Sequence, residues 1–395
     1  MSLAHDADRL LAQAVASGVA PGVVAMAADD GGVVYAGAFG TCEVDRDREM
    51  RLDAVVRTAS MTKTVTSVAV LQLVEQGRIG LDDALGEQIP ELAAVQVLEG
   101  FADGVPRLRP PRRPMTLRHL LTHTSGFGYH FWNADLLRYL DYTGIPTIDQ
   151  LKMACLEIPL VCDPGDRWEY GIGIDWVGQI VERLSGQPLD DYVGEPLCQP
   201  LGMVDTGFVL RPEQRPRFAP RHARQPDGSL QVIPYVESSA PEFVEGGGGL
   251  FSTGPDYLRF LRMLLGGGEL DGVRVLRPET VAALSANQIG DLTAGVLKTA
   301  MPLAANDVEF FPGMVKKWGL GCMITTEATP TGRAAGSLTW AGLANTYFWI
   351  DPTRRVTGLL LTQILPFGDP AVLDLFARFE RAVYAGRSDS RPLPF

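Results

Sequence analysis

A serine and a lysine three residues apart are the first residues in this sequence that could do chemistry together. Ser60-Met61-Thr62-Lys63 opens the segment 60–76, whose pattern is that of a long helix ending at Gly77. Residues three apart share one face of a helix, so the Lys63 side chain can approach the Ser60 hydroxyl. A serine hydroxyl becomes a good nucleophile when a neighbouring group takes its proton. The spacing therefore fits a nucleophile, Ser60, assisted by Lys63.

The same pair has a simpler explanation, in which Ser60 only caps the helix and Lys63 points to solvent. Lys63 is the only lysine in the first 150 residues, and the surrounding residues 58–74 carry no other charge. A charge within an otherwise apolar helix requires a partner. The four-residue motif by itself leaves both interpretations open.

Segments on either side of this helix carry the pattern of β-strands. Runs 22–28 and 33–38 flank the turn residues 29–32 and predict a hairpin. Near the other end of the chain, four further strand-like runs precede a closing helix at 370–384; they are 319–325, 337–341, 345–351 and 356–363. Strands at both ends of the chain predict one antiparallel sheet built from both.

The middle of the chain has a different character. Helical patterns occur at 115–122, 148–156 and 174–184, separated by proline-rich loops that include an extended basic segment at 105–114. We therefore predict an α+β fold with an antiparallel sheet flanked by helices. Residues 1–95 and 245–395 form the sheet domain, and residues 96–244 form an inserted, mainly helical domain.

Five blocks of the sequence resemble the serine β-lactamase and penicillin-binding-protein superfamily, in the expected order. They are 56–83 with the S-x-x-K motif, 115–126 (MTLRHLLTHTSG), 164–186 (PGDRWEYGIGIDWVGQIVERLSG), 246–260 (GGGGLFSTGPDYLRF) and 338–351 (LTWAGLANTYFWID). The resemblance is strongest to the β-lactamase-like carboxylesterases called family VIII. It implies the β-lactamase/transpeptidase-like fold for most of the chain.

The resemblance also implies roles for individual residues. Ser60 would be the nucleophile, Lys63 its partner, and Tyr170 the group that takes the Ser60 proton and returns it to the leaving alcohol. The backbone N–H groups of Ser60 and Leu343 would form the oxyanion hole. Without the resemblance, Tyr170 could equally be an aromatic residue packed beside Trp168. Whether Lys63 or Tyr170 is the initial base is left open by the sequence.

Two departures from the β-lactamase pattern bear on the substrate. Trp340-Ala341-Gly342 stands where β-lactamases carry a lysine-threonine-glycine triplet, and Tyr170 lacks the asparagine that usually follows two residues later. Both missing groups help to hold a β-lactam, so the sequence favours a neutral, apolar ester. Trp340, Ala341 and Gly342 would bind substrate on a strand beside the site, although Trp340 could be only a packed aromatic. The aromatic residues Tyr129 and Trp132, with Phe127 and Phe131, would line the pocket or belong to the core.

The predicted activity is hydrolysis of carboxylic esters through an acyl-enzyme on Ser60, which requires neither a metal ion nor an organic cofactor. Three alternatives stay open: acyl transfer to an alcohol, a weak β-lactamase or D-aminopeptidase-type amidase activity, and a non-catalytic scaffold. His119 and His123 have a metal-compatible spacing but lack the glutamate of H-E-x-x-H, so they are interpreted as structural. Glycines 246–249 lack the G-K-[ST] of a phosphate loop and are expected to let the chain pass close to the active site.

The amino-acid composition limits the kinds of partner expected for this protein. The net charge of −12 argues against nucleic acid as a partner, and a small-molecule ester is the expected one. The N-terminal residues lack the pattern of a signal peptide, and no apolar run is long enough to span a membrane. We therefore expect a cytoplasmic protein without membrane association. The five cysteines are scattered and predict free thiols, and the sequence does not indicate an oligomeric state.

Overall fold

The computed structural model describes residues 2–44, 46–238 and 240–388 of the chain. The helices are α1 (Leu3–Ala16), α2 (Thr62–Glu75), α3 (Pro90–Ala93), α4 (Leu117–Leu121), α5 (Ala134–Thr143), α6 (Gly173–Ser185), α7 (Leu189–Val193), α8 (Gly254–Leu265), α9 (Pro278–Ser285) and α10 (Pro370–Ser388). None of these described helices combines the length and the apolar character needed to cross a membrane.

The strands occur in groups between these helices. They are β1 (Gly22–Asp29), β2 (Gly32–Gly40), β3 (Val56–Arg57), β4 (Val97–Ala102), β5 (Val105–Arg109), β6 (His222–Arg224), β7 (Leu230–Val232), β8 (Phe251–Ser252), β9 (Glu269–Leu270), β10 (Val273–Arg274), β11 (Lys316–Trp318), β12 (Met323–Thr325), β13 (Leu338–Gly342), β14 (Thr346–Asp351), β15 (Val356–Leu361) and β16 (Ile364–Leu365).

The main sheet has seven antiparallel strands drawn from both ends of the chain. Their order is β11-β12-β13-β14-β15-β1-β2, and β1 pairs directly with β15, where Val24 lies opposite Leu361. The predicted hairpin is present as β1 and β2. The predicted antiparallel sheet built from both ends of the chain is therefore confirmed.

Helices cover both faces of this sheet. Successive residues of a strand point to opposite faces, and β14 illustrates the consequence. Tyr347 and Trp349 pack on Phe376 of α10, whereas Phe348 contacts Tyr257 of α8. Because neither face is open to water, every residue of β13, β14 and β15 is buried.

The predicted long helix forms the centre of the molecule. Helix α2 is buried on most sides, as its nearly uncharged sequence indicates, and Gly77 follows it with φ +70° in the left-handed conformation. The start differs from the prediction, because Ser60 lies in a 3₁₀ turn, Ala59–Met61, that leads into α2. This turn packs against β13 and β14, so the sheet fixes the position of Ser60.

Two local predictions are wrong. Of the strand predicted at 319–325, only β12 is a strand; the residues before it form a turn that connects it to β11, and Gly321 in this turn has φ +109°. A β-carbon at that position would lie 2.4 Å from Ser67 Oγ, so the chain bends where α2 approaches it. The helix predicted at 148–156 is two 3₁₀ turns, Ile148–Gln150 and Met153–Leu156, interrupted at Leu151 with φ +53°.

The middle of the chain, 96–244, combines helices α4 to α7 with four short strands. The basic segment at 105–114 is extended, as predicted, and its first half pairs with β4 as the hairpin strand β5. Helix α6 packs against α2, and the loop that precedes α6 carries Tyr170 towards the start of α2. The middle segment thereby supplies one wall of the region around Ser60.

Candidate active site

Ser60 stands in a turn that its surroundings hold in a strained conformation. Ala59, the residue before it, has φ +48°, which costs an alanine on the order of 1–3 kcal/mol. Thr58 anchors the turn from both sides: its hydroxyl donates to Leu250 O at 3.0 Å, and its carbonyl accepts from Thr346 Oγ1 at 3.1 Å. Such strain is typical of functional sites, where it aims a side chain at a fixed point.

Lys63 is fully buried and its ammonium group has three hydrogen-bond acceptors. Nζ donates to Ser60 Oγ at 3.2 Å, to Tyr129 Oη at 2.9 Å and to Gly247 O at 2.6 Å. An ammonium group has three N–H donors, so each of them is used. The structure thus brings Ser60 and Lys63 together, and it excludes the alternative in which Lys63 points to solvent.

Two carboxyl groups near Lys63, one buried and one partly buried, were not anticipated from the sequence. Asp175, in the first turn of α6, accepts from Gly247 N at 2.8 Å, and Glu245 forms an ion pair with Arg57 at 3.1 Å. Gly247 contacts both Lys63 and Asp175, and a β-carbon there would lie 2.5 Å from the Asp175 carboxylate. Glycine at this position therefore allows the close approach expected for 246–249.

The pKa of Asp175 is raised to about 7, first by burial and then by the negative charge of Glu245, against the opposing influence of Lys63. Burial likewise raises the pKa of Glu245. The signal for Asp175 was present in the sequence: it is the one charge in the apolar run 171–181 within the tyrosine block. The same reasoning that singled out Lys63 applies to it.

Replacing Asp175 with asparagine is expected to stabilise the protein more at high pH than at low pH. An acid whose pKa is higher in the folded than in the unfolded chain destabilises the fold as pH rises. That penalty is absent below 3.8 and complete above about 7. The amide keeps the acceptor for Gly247 N–H, so the melting temperature of Asp175→Asn relative to wild type should be higher at pH 8 than at pH 5 by at least about 2 °C. Circular dichroism melts at the two pH values measure this, and an unchanged or reversed difference would contradict it.

Tyr129 is a second tyrosine at the Lys63 ammonium. Burial, followed by the charges of Asp175, Tyr170 and Glu245, raises its pKa well above 10. Its phenol is therefore protonated at neutral pH, and it accepts from Lys63 Nζ while its ring stacks on Phe131 with centroids 4.8 Å apart. Tyr129 was predicted as a pocket residue; it lines the cavity beside Ser60 and also positions Lys63.

Tyr170 reaches the site from the loop before α6. Lys63 Nζ lies 5.0 Å from the centroid of its ring, and its Oη accepts from Trp340 Nε1 at 3.0 Å. Within the described residues, Oη makes no hydrogen bond to Ser60 or Lys63. The serine, the lysine and the tyrosine ring are thus adjacent, whereas the phenol oxygen is held by Trp340.

The strand β13 carries Trp340, Ala341 and Gly342 past Ser60. Trp340 contacts Tyr170 rather than lining the cavity, and Gly342 passes so close to Thr58 that a β-carbon would lie 2.1 Å from Thr58 O. This close approach places the next residue, Leu343, on the wall of the same cavity as Ser60. The two residues predicted to supply the oxyanion hole thus line one cavity.

A cavity of about 290 Å³ opens beside Ser60. Its apolar wall comprises Tyr129, Phe131, Met301, Ala304, Leu343 and Leu365, and its charged wall comprises Arg57, Asp149, Arg221 and Glu245. The predicted pocket residue Trp132 does not line this cavity; it packs on Phe131 and Phe367. The charged wall was not anticipated, because its members are up to 188 residues apart in the sequence.

The two histidines have structural surroundings. His119 accepts from Thr116 N at 3.2 Å and closes a capping box at the start of α4. His123 packs on Tyr170 and Trp318, and burial, with a smaller contribution from the Lys63 charge, lowers its pKa well below 6.5. In the described part of the chain, no group of three or more His, Cys, Asp or Glu side chains is placed to hold a metal ion.

A serine–lysine pair at the start of a buried helix, beside an antiparallel sheet made from both ends of the chain, defines the class of serine β-lactamase-fold proteins. The family model described as Beta-lactamase matches residues 7–382, and the chain therefore belongs to the beta-lactamase family. The resemblance found in the sequence is confirmed.

Similar proteins of this family include transferases and an esterase. Monacolin J acid methylbutanoyltransferase of Aspergillus terreus is 36% identical over 393 residues, with 94% of each chain covered. Lovastatin esterase of Penicillium rubens is 33% identical over 394 residues, covering 95% of this chain and 97% of its own. The structure of a mutant simvastatin synthase from Aspergillus terreus is 35% identical, with a TM-score of 0.84 over 97% of this chain and 95% of that chain.

These relatives confirm an enzyme of the serine β-lactamase fold. They do not confirm ester hydrolysis in particular, because several of them are acyltransferases. The alternative of acyl transfer is the better supported of the two predicted reactions.

Proposed function

We propose that this chain is an acyltransferase, in which Ser60 accepts an acyl group from an ester or thioester and passes it to a hydroxyl group of a small molecule. The observation that carries the covalent step is the 3.2 Å contact between Ser60 Oγ and the buried ammonium of Lys63. The names of the similar proteins, which describe methylbutanoyl transfer to monacolin J acid, support transfer over hydrolysis.

The geometry supports the following sequence of steps. Ser60 Oγ attacks the donor carbonyl, and its proton moves to whichever member of the Lys63–Tyr170 pair is unprotonated, as the carbonyl oxygen enters the oxyanion hole of Ser60 and Leu343. The donor alcohol or thiol leaves with that proton. The acceptor hydroxyl then loses its proton to the same pair, attacks the acyl carbon and releases Ser60.

Transfer requires that the acceptor outcompete water for the acyl-enzyme. The apolar wall of the cavity, which includes Phe131, Met301 and Leu365, favours an organic acceptor over bulk water next to Ser60. Hydrolysis is the second candidate, because it shares the same intermediate and because lovastatin esterase is similar over nearly the whole chain.

Product analysis with and without an acceptor distinguishes these reactions. With p-nitrophenyl butanoate as donor and a panel of millimolar primary and secondary alcohols, we expect at least one butanoyl ester to exceed butanoic acid among the products. Liquid chromatography with mass detection measures both products, and Ser60→Ala serves as the control that forms neither. Butanoic acid as the sole product with every alcohol would identify the chain as a hydrolase.

A further inference from the structure

His123 contacts the chain on both sides of Tyr170. Its carbonyl oxygen accepts from Glu169 N at 2.7 Å, and its Nδ1 accepts from Gly171 N at 3.5 Å, a longer and weaker contact. Its ring also packs on the ring of Tyr170, with centroids 4.6 Å apart. One buried residue thus contacts Tyr170 itself and the N–H groups of both its neighbours in the chain.

The loop that carries Tyr170 lies directly on the segment 123–127. Before the tyrosine, Gly165 N donates to Thr124 O at 2.6 Å. After it, Gly171 passes so close to the segment that a β-carbon there would lie 2.1 Å from a carbonyl oxygen. Backbone contacts therefore fix both ends of the loop, and the first residue of the segment adds a side-chain contact to the tyrosine between them.

Position 123 requires several properties at once, and histidine has all of them. The backbone of His123 has φ +56°, in the left-handed region that asparagine, aspartate and histidine adopt more readily than most other side chains. The N–H group of Gly171 needs an acceptor, which phenylalanine would lack. Packing on the rings of Tyr170 and Trp318 needs a flat ring, which asparagine would lack. The residue type therefore matches the contacts with the tyrosine loop.

Two features of His123 are unfavourable for stability. Its φ lies outside the common regions, and its Nε2 is buried without a hydrogen-bond partner among the described residues. Burial, with a smaller contribution from the Lys63 charge, lowers the pKa of His123 well below 6.5, so the neutral ring adds no second cation beside Lys63. Strain that the surrounding structure maintains is typical of functional sites, so these features support a role for His123 in the site.

We propose that His123 is a positioning residue, which fixes the Tyr170 ring beside Lys63 and thereby speeds proton transfer from Ser60. It acts through Tyr170 and does not itself exchange a proton with the substrate. The inference rests on the proposed function and adds one residue to its machinery. The Tyr170 ring centroid lies 5.0 Å from Lys63 Nζ, and a displacement of about 1 Å in such a site can lower a rate by about 10²-fold.

Matched substitutions of two histidines measure this role. His123→Gln removes the ring and the acceptor at the Nδ1 position, and should lower kcat/KM for p-nitrophenyl butanoate by about tenfold or more. His123→Asn keeps an acceptor near that position and adopts the left-handed conformation readily, so it should keep part of the rate. His119→Gln is the control. His119 lies against Gly165 of the same loop, and glutamine is a usual residue at its place in a capping box, so kcat/KM should stay within about twofold of wild type.

A double-mutant cycle tests whether the effect of His123 passes through Tyr170. In the Tyr170→Phe protein, His123→Gln should lower kcat/KM by less than about twofold, because the phenol oxygen whose position it controls is already absent. A similar loss in both backgrounds would assign His123 to the fold in general and would overturn the inference. Thermal melts of all four proteins ensure that folded enzyme is compared.

Hydrogen–deuterium exchange, which needs no substrate, separates failure of this inference from failure of the proposed function. In His123→Gln, the amide hydrogens of Glu169 and Gly171 should exchange at least about tenfold faster than in wild type, and in His119→Gln their rates should be unchanged. Mass spectrometry with fragmentation to single residues measures both amides.

Unchanged exchange at both amides in folded His123→Gln would show that His123 does not hold the tyrosine loop and would overturn the inference. Loss of activity in Tyr170→Phe but not in His123→Gln would overturn the inference alone. Full activity in Tyr170→Phe would overturn the proposed mechanism and, with it, the role of His123.

Discussion

Replacing Ser60 with alanine is expected to lower kcat/KM for p-nitrophenyl butanoate by at least about 10³-fold while leaving the fold intact. The hydroxyl is the atom that forms the covalent bond, so no neighbouring group can take its place. Stability should change little, because Lys63 keeps its hydrogen bonds to Tyr129 and Gly247. Steady-state kinetics and a thermal melt measure the two effects.

Ser67 provides a matched control on α2, the helix that follows Ser60. It is buried seven residues beyond Ser60, close to Gly321, and its hydroxyl has no hydrogen-bond partner within the described residues. Ser67→Ala therefore removes the same kind of atom from the adjoining helix without touching the site, and its kcat/KM should stay within about twofold of wild type. Activity of Ser60→Ala comparable to that of Ser67→Ala would remove Ser60 from the mechanism.

The second large effect is expected from replacing Tyr170 with phenylalanine. The same replacement at Tyr129 tests which of the two phenols transfers the proton. Tyr170→Phe should lower kcat by about 10²- to 10⁴-fold, the range for loss of a general acid–base group. Tyr129→Phe should lower it by about tenfold or less. Burial and nearby carboxylates keep Tyr129 protonated, so it can orient Lys63 but cannot accept the Ser60 proton.

Both substitutions remove one phenolic oxygen from the surroundings of the same ammonium group, so a general disturbance of Lys63 would affect both variants. Tyr129→Phe removes an oxygen that accepts a hydrogen bond from Lys63, so it should disturb the position of the Lys63 ammonium more than Tyr170→Phe does. If Tyr129→Phe were the more damaging change, Tyr129 would take the role assigned to Tyr170. Pre-steady-state release of p-nitrophenol in each variant would locate the loss in the acylation step.

The sequence alone predicted those features that depend on residues close together along the chain. The hairpin of β1 and β2, the central helix α2 and the approach of Lys63 to Ser60 follow from turn residues, apolar runs and a spacing of three. The close passage of residues 246–249 beside Lys63 followed from their lack of side chains. Each of these predictions needs at most a few adjacent residues.

Features that depend on contacts between residues far apart in the sequence were not predicted. No neighbouring residue in the sequence predicts a turn at Gly321, because its positive φ goes with the close approach of Ser67 from helix α2. Glu245 and Arg57 meet across 188 residues, and the exposure of Arg221 to the cavity depends on the folded path of the middle segment. The hydrogen bond from Trp340 to Tyr170 joins residues 170 positions apart, so the orientation of the phenol oxygen could not be read from either motif.

Direct detection of the acyl-enzyme tests the central claim, that Ser60 carries the acyl group between donor and acceptor. The protein is mixed with p-nitrophenyl butanoate, quenched in acid within a turnover and digested for peptide mass spectrometry. We expect one butanoyl group on the peptide that contains Ser60, absent from Ser60→Ala and discharged faster when an acceptor alcohol is added. Continued turnover with no butanoyl group on Ser60, or with the group on another residue, would contradict the account.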